Sequence, residues 1–280
     1  MKKSIVDLID QSSGLYAIPE IYSILNTKLK DPYTSNTQIA DIIQRDPGLT
    51  LTILKIVNSA FYGFESTVST VSRAISILGR NEISTLAFST STIDVFNKLP
   101  IKKSVLYEHW QHSLLCGLIA KQIGKHSAFA EQSDALFIAG LLHDVGRLVL
   151  WHKLPQESER IAVKLQQRPH EEIEIETEEL GFTHAEIGAA LMRLWKVPPL
   201  LIATTQWHHS PAQSVSYINE CQLINMASLL TDLATDDAIT LELLEEHTEW
   251  GIFNLNVEAV IAIQGIATEQ MREMIGMFIS

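Results

Sequence analysis

Cysteine is scarce in this 280-residue chain: only Cys116 and Cys221 occur, with no paired spacing. No disulfide framework can be read from them, and a reducing, cytoplasmic setting is expected. Basic residues are also few, 21 Lys and Arg against 33 Asp and Glu, for a formal charge of −12. That balance repels phosphate backbones and anionic lipid, and no basic run is interleaved with aromatics. Neither a nucleic-acid partner nor a membrane is expected. No apolar run approaches the roughly 18 to 20 residues a membrane span needs. The start, MKKSIVDLIDQSSG, has no continuous apolar stretch behind its lysines and does not read as a secretory signal. Period-two alternation of β-branched residues is scarce, and neither an internal repeat nor a low-complexity tract is present.

What remains is the composition of a soluble globular protein, 46% hydrophobic and 19% charged, with apolar residues recurring at helical spacing. Asn36-Thr37 open a segment with Ile39, Ile42 and Ile43 on one face, and Asp46-Pro47-Gly48 breaks it. LTLTILKIVNSAFYG reads as an apolar helix ending near Gly63. Thr70-Val71-Ser72 starts a helix closed by Gly79. Pro198-Pro199 suits the first turn of another, which Ser210-Pro211 stops. The expected architecture is all-α. Leu99-Pro100-Ile101-Lys102-Lys103 divides an N-terminal helical part, residues 1–100, from a larger bundle, residues 101–280.

The most apolar part of the chain, ALFIAGLLHDVGRLVL, carries three ionisable residues, His143, Asp144 and Arg147. On one continuous helix they share a stripe, which would be the wet edge of an amphipathic helix. Yet Ala135, Ala139, Gly140 and Gly146 allow neighbours to approach closely, as on a central helix. An ionised carboxylate there is costly unless paired or bound to metal. Histidines elsewhere could converge on it: His109 and His112 at i, i+3, His184 at a helix start, and His208 and His209 at a helix end. Imidazole with carboxylate suits zinc, iron, manganese or nickel. His126, His152, His170 and His247 lie in polar surroundings and read as surface.

Taken together, His112, LLHDVG with His143-Asp144, HAEIGA at 184–189 and WHH at 207–209 resemble the HD superfamily of metal-dependent phosphohydrolases. IQRDPGLTLTILKIVNSAFYG followed by VSRAISILG resembles the HDOD family, the HD-related output domain of bacterial signalling. The resemblance runs from about Leu15 to the last helices. It implies an HDOD-type helical bundle in which an N-terminal helical subdomain packs on an HD-like bundle. It also implies a first metal site at His112, His143 and Asp144. By likeness to the cyclic-di-GMP phosphodiesterase branch, His184, His208 and His209 would serve a neighbouring metal.

The chain departs from the pattern in three places. The later aspartate of the HD set matches Ser228, with Asp232 one turn on and in reach only if the helix were shifted. Arg147 stands where the phosphodiesterase branch has lysine. HHSPAQSV replaces that branch's glutamate and GYP loop, so hydrolysis of cyclic-di-GMP is not expected.

Two functions follow. One is a non-catalytic regulatory module, a stand-alone adaptor for signalling proteins, whose degenerate metal site holds a transition metal or none. Asn58, Phe61 and Tyr62 would then form a pocket or partner face, unless Asn58 merely satisfies backbone and the aromatics are core. The other is a metal-dependent phosphohydrolase acting on a phosphorylated small molecule. In it, Asp144 would orient a metal-activated water and Arg147 would neutralise phosphate oxygens.

Overall fold

The structure, a computed structural model, describes residues 4–9, 16, 20–29, 31–59, 62–169, 171–235 and 248–278. Among them helices are the only regular elements and no strand occurs. The chain forms two compact units, Met1–Ala17 with Leu99–Gln264, and Ile18–Lys98 with Gly265–Ser280. In chain order, α1 (Ile5–Leu8) belongs to the larger unit. The smaller holds α2 (Glu20–Leu29), α3 (Asn36–Gln44), α4 (Pro47–Val57), α5 (Val71–Leu78) and α6 (Arg80–Asn97). The larger continues with α7 (Lys103–Lys125), α8 (Ser133–Leu142), α9 (Val145–Lys153), α10 (Pro155–Leu165), α11 (Glu172–Leu180), α12 (His184–Leu194), α13 (Pro199–Trp207) and α14 (Ile218–Thr235). The last helix, α15 (Val257–Phe278), is divided between the two units at Gln264.

In the smaller unit, side-chain caps set the helix starts. Ser35 and Gln38 form a capping box at α3, and Thr70 caps α5. Asp46 accepts the Leu49 N–H while Pro47 takes the first position of α4, so the DPG break is also a helix start. Helix α4 ends at Val57, earlier than the expected Gly63. The cause is Asn58. Its amide donates to the carbonyls of Leu54 (2.7 Å) and Val68 (2.8 Å), and its carbonyl accepts the Val68 N–H at 2.7 Å. Asn58 therefore ties a loop back onto its helix. Tyr62 is half-buried and donates to the buried Glu82 carboxylate; Phe61 lies outside the described residues.

The larger unit is built on the seam between α7 and α8. On α7 Trp110, Leu114, Leu118 and Ile119, and on α8 Leu136, Phe137 and Leu141, are all at most 1% exposed where the two helices pack together. A methyl added at Gly140 would lie 2.7 Å from the Cα of Gly117, so only glycine permits this approach. Each large apolar side chain buried in the seam contributes about 1.5–3 kcal/mol, enough together to carry a few costly polar groups nearby. The stretch Ala130–Lys153 proves long and apolar enough to cross a membrane by length and composition, against expectation. Within its most apolar window 78% of the residues are buried in the fold, as in the core helix of a globular domain.

That stretch is not one straight helix. It breaks at His143 and Asp144: α8 ends at Leu142 and α9 begins at Val145. The expected single stripe of His143, Asp144 and Arg147 is therefore replaced by a corner. His143 Nδ1 lies 2.7 Å from the carbonyl oxygen of Gly140, in the last turn of α8. Beyond the corner, a methyl on Gly146 would come within 2.0 Å of the His184 carbonyl oxygen. This contact lays the start of α9 against the start of α12, and so brings Asp144 to His184.

Candidate metal centre

Three helix ends and the middle of α7 deliver the polar groups. His143 and Asp144 come from the α8–α9 corner. His184 is the first residue of α12, whose start is fixed by a capping box between Thr183 and Glu186. His208 ends α13, its Nδ1 2.9 Å from the Thr205 carbonyl oxygen, and His209 follows. His112 projects from α7.

All six residues expected to bind metal come together around Asp144. From its Oδ1, the Nε2 atoms of His184, His208 and His143 are 3.2, 3.4 and 3.5 Å away. His209 Nε2 is 3.1 Å from His184 Nε2. His112 Nε2 stands farther off, 3.8 Å from Asp144 Oδ2. His143, Asp144, His184 and His208 are fully buried, His112 is partly exposed, and His209 is on the solvent side.

The donor set fits a divalent cation. Asp144 Oδ1 and the Nε2 atoms of His143 and His208 are buried without a hydrogen-bond partner, which an apolar core does not tolerate. Backbone carbonyls hold the opposite ring nitrogens of both imidazoles, so each Nε2 is aimed inward, as metal-ligating histidines are oriented. Ligands bound tetrahedrally at about 2.0–2.2 Å stand about 3.3–3.6 Å apart. The separations around Oδ1 lie close to that range. Three sets of ligand atoms are mutually close among the described residues: Asp144, His184, His208 and His209; His112, His143 and Asp144; and Glu172, Glu176 and His184.

Arg147 and two glutamates surround the cluster. Arg147 Nε is 2.9 Å from Asp144 Oδ2, and Nη2 donates to Glu172 at 2.5 Å. Burial would push the Asp144 carboxyl up, but the guanidinium together with the imidazoles of His143, His184 and His208 outweighs it and holds the group well below the usual carboxylate range. Burial drives the imidazoles of His143 and His112 down, His112 to about 4, so both are neutral and free to donate lone pairs. His184 departs in the opposite direction. Burial opposes its charge, yet Glu176 and Asp144 raise it to about 10.

Sequence reasoning missed Glu176 and Glu172. They lie in the acidic segment EEIEIETEEL. Glu176 is nevertheless 2% exposed, on the buried side of α11 with Ile175 and Leu180. A glutamate within an apolar stripe was the available signal. Asp232 also differs from expectation: its Oδ1 is 3.3 Å from His112 Nδ1, so it reaches the site. Partial loss of surrounding water, with the charges of Asp144 and Glu172 working against Arg147, pushes its carboxyl up to about 6. Ser228, half-buried one turn earlier on α14, supplies no carboxylate. His152 is half-buried rather than surface, its Nδ1 2.6 Å from the Tyr16 hydroxyl. His126 is exposed, and His170 and His247 lie outside the described residues.

Beside the cluster is a cavity of about 260 Å³ lined by Val105, Glu108, His109, His112, Asp144, Arg147 and Trp151. His109 Nε2 is buried there without a partner, and burial lowers its imidazole to about 3.

The profile of the HDOD domain family matches residues 15–211. The chain belongs to that family. It is 27% identical over 210 residues to an uncharacterized protein of Treponema pallidum (strain Nichols), a match that takes in 74% of this chain but 39% of that protein. The fold is similar to that of a provisionally named phosphohydrolase from Shewanella amazonensis SB2B, with a TM-score of 0.79, 22% identity and 97% of both chains covered. It is also similar to a provisionally named signal transduction protein from Marinobacter aquaeolei VT8, with a TM-score of 0.72 and 20% identity, over 99% of this chain and 67% of that one.

Proposed function

We propose that this chain is a bacterial, cytoplasmic regulatory module that acts by binding signalling proteins and retains a divalent transition metal, Fe, Mn, Zn or Ni, as part of its structure. The observation that carries this reading is the state of Asp144. One of its oxygens faces imidazoles, while the other is neutralised by Arg147, itself locked to Glu172. An arginine committed to two carboxylates is poorly placed to receive phosphate oxygens. With Ser228 in place of a carboxylate, the set is also one acidic ligand short of the HD pattern. Names carried by similarly folded proteins, phosphohydrolase and signal transduction protein, are compatible with a phosphohydrolase scaffold put to regulatory use.

The cavity beside Asp144 favours a second reading, a phosphohydrolase. In that case the metal would supply Lewis acidity toward a phosphoester. Asp144, His184, His208 and His209 would hold it, and His112 and His109 would line the substrate's approach. Arg147 would have to leave Glu172 to contact phosphate. The full chain, loaded with Mn²⁺ and given bis(p-nitrophenyl) phosphate, separates the two. We expect no turnover above a chelated control. Turnover that disappears in both His143→Ala and Asp144→Ala establishes the enzyme instead.

A further inference from the structure

We infer that the cluster takes a single divalent metal, on the His184, His208 and His209 side of Asp144, and that the Arg147 guanidinium is the resident cation of the other side. The inference rests on the retained metal of the proposed function and adds its number and position.

The two oxygens of Asp144 have different surroundings. Oδ1 faces Nε2 of His184 at 3.2 Å, of His208 at 3.4 Å and of His143 at 3.5 Å, and it has no hydrogen-bond donor. His209 extends the same set, its Nε2 3.1 Å from that of His184. Oδ2 faces Arg147 Nε at 2.9 Å. A guanidinium does not lose its proton in a protein, so this positive charge is permanent. It is also anchored from behind, by the 2.5 Å bond from Nη2 to Glu172.

A carboxylate that bridges two metals needs both oxygens for them. Here one oxygen already meets a fixed cation, and a second metal would sit against that charge. The Oδ2 side does have a spare donor, since His112 Nε2 is buried without a hydrogen-bond partner. Donors are therefore present on both sides, and charge decides between them. The Oδ2 side is also short of acidic ligands: Ser228 has no carboxylate, and Asp232 meets the far nitrogen of His112, Nδ1, at 3.3 Å. Removing the guanidinium leaves Asp144 and Glu172 uncompensated next to His112. That set attracts a second cation.

The test is metal stoichiometry of the full chain, stripped with chelator, dialysed against excess Mn²⁺, freed of loose metal by gel filtration and measured by elemental analysis and native mass spectrometry. The expected content is about one Mn²⁺ per chain in the wild type and in His112→Ala, and about none in His208→Ala. Arg147→Met is expected to rise to about two, while Arg147→Lys, which keeps the charge, stays at about one. Circular dichroism establishes that each variant is folded. Should Arg147→Met not fold, the pair His112→Ala and His208→Ala still decides. Two ions in the wild type, one ion in folded Arg147→Met, or metal lost in His112→Ala but kept in His208→Ala, overturns the inference. A metal-free wild type overturns it as well. Phosphoester turnover overturns the regulatory role, a metal-free wild type overturns the retained metal, and a metal count or position other than the expected one overturns this inference alone, so the failures are distinct.

Discussion

Glu176 and His184 are joined twice. The carboxylate accepts the backbone N–H of His184 at 2.7 Å and lies 2.9 Å from its Nδ1. Both groups are almost wholly buried. Holding Nδ1 as a donor turns Nε2 toward Asp144 and His209 and raises the basicity of the ring. Glu176→Gln removes the charge and keeps the shape. It is expected to weaken metal binding by about 10- to 100-fold, measured by competition with a chromophoric chelator. Unchanged affinity would make Glu176 a purely structural partner of the α12 N-terminus.

Gly146 is expected to tolerate no side chain. In Gly146→Ala the new methyl meets the His184 carbonyl oxygen, a backbone atom that cannot rotate away. The two helix starts must separate, at a cost of about 3 kcal/mol or more. Urea unfolding of the metal-free protein reads the loss, and metal affinity is expected to fall with it, because Asp144 moves with α9. Wild-type stability in this variant would contradict the packing described for α9 and α12.

The metal-free chain is expected to lose stability as pH falls from about 6.5 to 4. The sign follows from the buried histidines. His143 is held well below its ordinary value, His112 at about 4 and His109 at about 3. Over this interval the unfolded chain binds protons at these sites and the folded chain does not, so acid favours unfolding. Asp232, pushed up to about 6, opposes this as one group against three. His184 acts at the other end. Its folded value of about 10 gives stability that is full below about 6.5 and lost as pH rises toward 10. Thermal melts in chelator across pH 4 to 10 are expected to peak between these limits. A melting temperature that is flat from pH 6.5 to 4 would contradict the buried, neutral state of the three imidazoles.

Asn58→Ala removes two donated hydrogen bonds and one accepted bond that hold the Val68 backbone to α4. The expected loss is about 1–3 kcal/mol, because backbone groups lose their partners. Asn58 belongs to the smaller unit, so metal content of the folded variant is expected to be unchanged. Elemental analysis alongside denaturation checks both halves of the statement. A variant of wild-type stability would return Asn58 to the candidates for a partner face.

Helix starts were largely legible in the chain because their signals are local. Asp46-Pro47, Thr70 and Pro199 all act where their chemistry indicates. A buried Asp144 made convergence of histidines an expectation, but which five converge on it came from family resemblance, since no local rule joins His112 to His208. Other features depended on tertiary structure. The break between His143 and Asp144 hides in an apolar run because its cause, the closeness of Gly146 to His184, lies 38 residues further along. Asp232 looked out of reach, but the placement of α14 beside α7 brings it to His112. His152 sits among polar neighbours, yet its partner Tyr16 is 136 positions away.

The proposed metal centre requires the buried imidazoles around Asp144 to take up a cation. Anomalous diffraction from crystals of the full chain grown with Mn²⁺ answers this. A peak is expected within bonding distance of Asp144 Oδ1 and the Nε2 atoms of His184 and His208. An Mn²⁺-saturated crystal with no peak at Asp144, its imidazoles instead hydrogen-bonded to ordered water, would contradict it.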